Sequence, residues 1–275
     1  MKRKLLFCIS SICVIAMMAG LFMLITMSSM YREGAETYES LMQHLTVVPP
    51  RGPVPIQTPA APEPPDGEPM EAPDEDRPGV FRLPDHIVLP EVNFAALYEI
   101  NSDVVGWLIL EGTPIHYPVV HGSDNVHYLH HLFDGRRSNV GTLFVDTYNL
   151  PGFVDRNTII YGHHMQDGSM FAALENYNSQ AFFDANPWIF LLTPEGNYVI
   201  QLFAGYLTDV YASSWRRDFA DDSDFETWIR ERRDRSDFVS TVEVGPTDRV
   251  VTLSTCSTVF FNARYVVVGK LTPIA

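Results

Sequence analysis

Three side chains in the second half of the chain could together carry out covalent acyl transfer: Cys256, His163 and Arg264. Cys256 ends the stretch Val250-Val251-Thr252-Leu253-Ser254-Thr255-Cys256-Ser257, which reads as a buried strand. It is the only cysteine outside an N-terminal apolar segment that holds Cys8 and Cys13. A lone thiol in an extracytoplasmic domain is either an inert core residue or a nucleophile. His163 sits in Tyr161-Gly162-His163-His164, just after the apolar run 157–160, where glycine lets the backbone turn at a strand end. Arg264 opens the last predicted strand, after the loop 257–263. A thiolate can attack a carbonyl while an imidazole manages the proton for attack and departure. A free cysteine titrates near pH ~8.5 and a histidine near ~6.5, so a neighbouring cation would help form the thiolate. Arginine stays charged at any working pH and donates in a fixed fork, which suits a substrate backbone or a tetrahedral oxyanion. Each residue also has a plain structural reading: a packed thiol, a turn histidine, an arginine paired with a surface carboxylate.

Histidine spacing raises a second chemistry. His127 and His131, four apart, would share a helix face, with His130, His163 and His164 elsewhere. No His-Glu-x-x-His pattern is present, and Cys256 has no Cys-x-x-Cys partner. No metal site is therefore expected, and the sequence implies no organic cofactor.

The elements that must position these residues are mostly short apolar runs. Strands are predicted at 104–110, 115–120, 141–146, 158–161, 188–193, 198–210, 249–255 and 265–271. Helices are predicted at 93–100 (capped by Asn93), 124–131, 169–177, 179–185 and 223–238. Many short strands with helices in the connections imply a mainly β fold, a β-barrel with helical additions. Strands and helices do not alternate, which does not fit a doubly wound α/β sheet.

The N-terminus implies a compartment. Residues 1–4 are a basic tail (Lys2, Arg3, Lys4), and residues 5–27 carry no charge. That span is long enough for a hydrocarbon core of ~30 Å, and basic residues before it keep the N-terminus in the cytoplasm. No small-x-small site follows closely, so an uncleaved single-pass anchor is expected rather than a removed signal. Residues 28–48 form a juxtamembrane segment with a short helix at 31–48. Residues 49–79 hold eleven of the chain's 20 prolines and seven acidic residues. Such a segment buries too little apolar surface to fold and reads as an extended spacer holding a domain away from the membrane. Residues 80–275 read as one extracellular domain. From Val80 onward there are 24 acidic and 13 basic side chains, and the whole chain has a net charge of −15. That disfavours a nucleic-acid partner, which needs a basic face, and none is expected.

The motifs also carry a family resemblance. Thr252-Leu253-Ser254-Thr255-Cys256 resembles the TLxTC signature of sortases, the membrane-anchored cysteine transpeptidases of Gram-positive bacteria. Tyr161-Gly162-His163 is similar to their histidine motif, and Arg264, eight residues after Cys256, to their arginine. Residues 124–149 (DNVHYLHHLFDGRRSNVGTLFVDTYN), 161–171 (YGHHMQDGSMF) and the helix 223–238 resemble class B. The resemblance spans residues 91–275 with its motifs in family order. It implies an eight-stranded sortase-type β-barrel with N-terminal helices and a helix inserted between the sixth and seventh strands. It implies Cys256 as nucleophile, His163 as proton donor to the departing amine, and Arg264 as a substrate or oxyanion clamp. Tyr161, Ser254, Thr255 and Ser257 are expected near the substrate. The position after the cysteine is often acidic in class B and is Ser257 here. The implied partners are secreted proteins bearing a C-terminal sorting signal, an amine acceptor from a peptidoglycan precursor or a pilin, and the cell membrane through the N-terminal helix. Two other classes use the same features. One is a secreted cysteine hydrolase with the same pair of residues; the other is a non-enzymatic surface-binding domain that would tolerate loss of Cys256.

Overall fold

Near-continuous apolar runs in the C-terminal half are what a strand shows when both of its faces are covered. The structure, a computed structural model, describes residues 2–46, 80–84 and 86–275. Eight strands form a closed barrel: β1 (Val104–Ile109), β2 (His116–Val120), β3 (Leu143–Val145), β4 (Asn157–Tyr161), β5 (Trp188–Thr193), β6 (Gly196–Asp209), β7 (Arg249–Cys256) and β8 (Ala263–Pro273). The order around the barrel is β8-β6-β5-β1-β2-β3-β4-β7, closed by β7 pairing with β8. The pairs β2–β3 and β4–β7 are parallel and the others antiparallel. Closure leaves the barrel no free sheet edge. The mainly β expectation is met, and all eight predicted strands are present.

Four helices decorate the barrel: α1 (Lys2–Leu41), α2 (Phe94–Ile100), α3 (Gln180–Ala185) and α4 (Asp222–Asp234). Asn93 caps α2 as expected, its side chain accepting the Ala96 N–H at 3.1 Å. α4 lies between β6 and β7, where a helix between the sixth and seventh strands was expected. Its N-cap is Asp221, which accepts the Asp224 N–H at 2.9 Å. Phe225, Trp228 and Ile229 of α4 pack on Phe203, Tyr206, Val250, Val266 and Val268, on the outside of the barrel. Tyr265 and Val267 of the same run join the interior cluster instead. Side chains alternate across a strand, so the run Val266-Val267-Val268 is apolar throughout because one face fills the barrel and the other is roofed by α4.

Three sequence expectations are corrected here, the first being the helix predicted at 169–177, which is a 3-10 segment, Ala172–Asn178. The stretch 124–131 is not a helix but a single 3-10 turn, His127–Leu129. Asp124 organises it by accepting the N–H groups of Val126 and His127, both at 2.7 Å. The segment stays open because its carbonyls are used elsewhere: Tyr128 accepts the Thr142 N–H at 2.9 Å. The expected separation of a span at 5–27 from a short helix at 31–48 is also replaced, because α1 runs unbroken to Leu41. Its last turns dock on the barrel, with Tyr38 and Leu41 buried in the core cluster. The Tyr38 hydroxyl donates to the Gly141 carbonyl and lies 3.1 Å from the Thr142 hydroxyl. Arg136 meets Glu33 at 3.0 Å and also donates to the Thr37 hydroxyl. The folded unit thus begins before the boundary expected at Val80. The expected spacer at 49–79 lies outside the described residues. On either side of it, Leu45–Thr46 and Glu91–Val92 pair as a two-stranded ladder, with Leu45 and Val92 packed on the core.

Candidate active site

Parallel pairing of β4 with β7 sets the histidine and cysteine segments side by side, with Tyr161 opposite Ser254. Antiparallel pairing of β7 with β8 sets Arg264 opposite Cys256. Cross-strand partners in an antiparallel pair have Cβ atoms about 4.5–5.5 Å apart on the same face. Cys256 is exposed, at the last position of β7, and Arg264 is half-buried beside it. Cys256, His163 and Arg264 line one cleft of about 220 Å³ together with Asn125, Leu129, Phe144, Tyr161 and Gly162. A second hollow of about 440 Å³ shares Tyr161 and Arg264 and continues past Ser213, Trp215 and Arg216. The two hollows adjoin at Tyr161 and Arg264, and Cys256 lines the first.

Glycine is required at two places in this wall. A Cβ on Gly162 would lie 2.5 Å from Leu143 and 2.6 Å from Phe171. Gly141 has φ +67, and a Cβ there would meet the Tyr128 carbonyl oxygen at 2.6 Å and His163 Cδ2 at 3.0 Å. The His163 ring therefore rests directly on the Gly141 backbone.

The imidazole's tautomer follows from its neighbours. His163 Nε2 is 2.8 Å from the Leu129 carbonyl oxygen. A carbonyl only accepts, so Nε2 carries the hydrogen and Nδ1 is the nitrogen left for proton exchange. Burial lowers the His163 pKa below the ordinary histidine value; the Leu129 bond opposes this, and His130 and Arg264 add to the lowering. The ring is thus mainly neutral at pH 7, with Nδ1 able to accept a proton. Beside it, Tyr161 donates to Asp146 at 2.9 Å. Burial first, then the Asp146 charge, pushes the Tyr161 phenol well above its usual range, so it remains protonated.

The other residues expected near the substrate are placed less directly. Tyr161 lines both hollows. Thr255 is 1% exposed, and strand alternation turns it to the face opposite Cys256, away from the cleft. Ser254 shares the Cys256 face but is 2% exposed, with Trp215 Nε1 3.4 Å from its hydroxyl. Ser257 is buried and its hydroxyl donates to Glu175. Neither serine is among the cleft-lining residues.

Sequence reasoning missed several contributors. Leu129 acts through its carbonyl, which leaves no mark in residue type. Asp146, buried at the end of the GTLFVD strand, accepts from Tyr161, from Asn125 at 3.2 Å and from Arg217 at 2.9 Å. Its place in the quoted 124–149 motif was the available signal. Glu175 contacts both His164 and Ser257.

The arrangement has known counterparts. The sequence pattern of the sortase domain matches residues 108–272. The Sortase B of Listeria monocytogenes is 39% identical over 177 residues, 64% of this chain and 72% of that protein. The Sortase B of Staphylococcus aureus is 36% identical over 184 residues, 66% of this chain and 75% of that protein. Among solved structures, a Staphylococcus aureus sortase B–substrate complex superposes with a TM-score of 0.63 at 36% identity, covering 66% of this chain and 85% of that one. Clostridium perfringens sortase B gives 0.62 at 35% identity, covering 65% and 98%.

Proposed function

The chain belongs to the sortase family, as a class B cysteine transpeptidase, and on that premise we propose that it cleaves a C-terminal sorting signal after threonine and passes the protein to an amine. Cys256 Sγ attacks the threonine carbonyl carbon as its proton moves to His163 Nδ1. The tetrahedral oxyanion is held by Arg264, aided by backbone N–H groups near Cys256. The C–N bond breaks, His163 returns the proton to the departing amine, and an acyl thioester remains on Cys256. An amine of a peptidoglycan precursor or pilin then attacks the thioester, His163 takes its proton, and the thiol is released. The observation carrying this reading is the exposed Cys256 in register with Arg264 and sharing a cleft with His163. The solved Staphylococcus aureus relative described as a sortase B–substrate complex supports a sorting-signal substrate for this chain. Tyr161 and the wall at Ser213–Trp215 would contact the residues preceding the threonine.

The apolar stretch of α1, before the turns that dock on the barrel, is long and apolar enough to cross a membrane. We assign it as a single-pass anchor with a cytoplasmic N-terminus and an extracellular barrel. The test is cleavage of quenched peptides of LPxTG, NPxTN and (S/N)PxTG type by the full chain in detergent, with added amines and a Cys256→Ala control. Cys256-dependent cleavage to an amine-linked product supports the transpeptidase. Free acid regardless of amine supports the hydrolase, and no cleavage with an unreactive Cys256 supports a binding domain.

A further inference from the structure

Past the end of the β4–β7 ladder, the sheet no longer ties the two candidate reacting groups together. The last paired residues are Tyr161 and Ser254, and the last rung is the Gly162 N–H to the Ser254 carbonyl at 3.1 Å. Both His163 and Cys256 lie beyond it. Among the described residues, no backbone hydrogen bond joins the two segments further on. The chain turns away in both directions. After His163 it folds back as the Phe171 N–H reaches the His163 carbonyl at 2.8 Å, and after Cys256 the Ser257 N–H goes to Ala263 on β8 at 3.0 Å.

One side chain spans this gap. Glu175 projects from the 3-10 segment Ala172–Asn178. Its Oε2 is 2.9 Å from His164 Nε2, and its Oε1 accepts the Ser257 hydroxyl hydrogen. His164 is the residue after His163, and Ser257 is the residue after Cys256. One carboxylate thus gives one oxygen to each segment, and a carboxylate acceptor makes the stronger class of hydrogen bond. Just before that segment, Met170 forms a bridge to His164, so the chain leading into it is tied to the histidine segment. Glu175 does not line the cleft, so it has no contact there with substrate or with the reacting atoms.

We infer that Glu175 is a positioning residue whose carboxylate clasps the His163 and Cys256 segments beyond the sheet and so fixes the imidazole against the thiol. The buried Ser257 hydroxyl finds its acceptor in this carboxylate. The inference rests on the transpeptidase reading for the identity of the reacting pair, and its test is separable from that reading. A misplacement of about 1 Å between reacting groups costs about a hundredfold in rate.

The experiment measures alkylation of Cys256 by iodoacetamide as a function of pH, on the full chain in detergent. Mass spectrometry follows Cys256 itself, because Cys8 and Cys13 are also thiols. His163→Ala defines which inflection in the profile comes from the imidazole. Glu175→Ala is expected to lose that inflection and, with any cleaved peptide, about a hundredfold in kcat with KM little changed. Glu175→Gln, which can still accept from Ser257 and meet His164, is expected to recover most of both. Ser257→Ala, a small change that cuts one arm only, is expected to give an intermediate profile and decides the matter if Glu175→Ala does not fold. Wild-type profiles in Ser257→Ala and Glu175→Ala, or failure of Glu175→Gln to recover a lost inflection, would overturn the inference. If no peptide is cleaved by the wild type, the transpeptidase reading fails, but the alkylation profiles still test the clasp.

Discussion

Replacing Gly141 by alanine should damage the site without touching any reacting atom. Gly141 adopts φ +67, a left-handed conformation that costs an L-residue about 1–2 kcal/mol. The new Cβ would also lie 2.6 Å from the Tyr128 carbonyl oxygen, 3.0 Å from His163 Cδ2 and 3.2 Å from the Leu129 carbonyl oxygen. Two of these neighbours are backbone and cannot rotate aside, so an overpacking cost of about 1–3 kcal/mol adds to the first. A total of about 3 kcal/mol corresponds to a fall of roughly 6–12 °C in Tm for a domain of this size. The neighbour free to yield is the His163 ring, and its shift would weaken the Leu129 bond that fixes its tautomer. A ring displaced by about 1 Å should lower kcat about a hundredfold. Gly135 is the matched control: it has φ +82, but a Cβ there would meet no heavy atom within 4 Å. Gly135→Ala should lose only about 1–2 kcal/mol and keep its activity. Thermal unfolding and peptide cleavage of both variants decide. Equal activity in the two variants would refute the claim that the Gly141 backbone seats the imidazole.

Other outcomes follow from the same contacts. Arg264→Lys should lower kcat about 10²–10³-fold, as far as Arg264→Ala does, because a point charge does not replace a fork of donors aimed at an oxyanion; a wild-type rate in the lysine variant would contradict the clamp. Because burial lowers the His163 pKa in the fold, the unfolded chain binds the proton first as pH falls. The stability tied to neutral His163 is therefore present above pH ~6.5 and lost as pH drops through the folded value, so urea midpoints should fall over that window less steeply in His163→Gln. Tyr38→Phe should cost about 1–3 kcal/mol by stranding the Gly141 carbonyl at the α1 contact, the Thr142 hydroxyl keeping its bond to the His131 carbonyl. A urea midpoint equal to wild type would show that this contact does not hold α1 to the barrel.

The parts of the fold legible in the sequence were those where burial is two-sided. The run Tyr265-Val266-Val267-Val268 reads as a strand because β8 is covered by the barrel interior and by α4. Asn93 announced a cap that the structure contains. Cys256 and Arg264 could be singled out because residue type alone marks them, and strand register then places them opposite one another. The segment 124–131 was misread as helix because Asp124 looks like a cap and His127 and His131 share a periodic face; their rings do stack, at 4.0 Å between centroids. Tertiary demand for the Tyr128 and Leu129 carbonyls overrides that local signal. The docking of α1 was hidden because Tyr38 and Leu41 stand among Arg32, Glu33, Glu36 and Glu39, and the barrel residues they meet, such as Gly141, lie far away in sequence. Glu175 was invisible for a different reason: its role exists only once β4 and β7, far apart in sequence, lie side by side.

The most direct test of the account is the intact mass of the full chain after incubation with a cleavable sorting peptide and no added amine. The account predicts an acyl adduct that maps to Cys256, is absent from Cys256→Ala, and disappears on addition of an amine as the amine-linked product forms. Peptide cleavage that proceeds at full rate with no adduct, and that persists in Cys256→Ala, would contradict it.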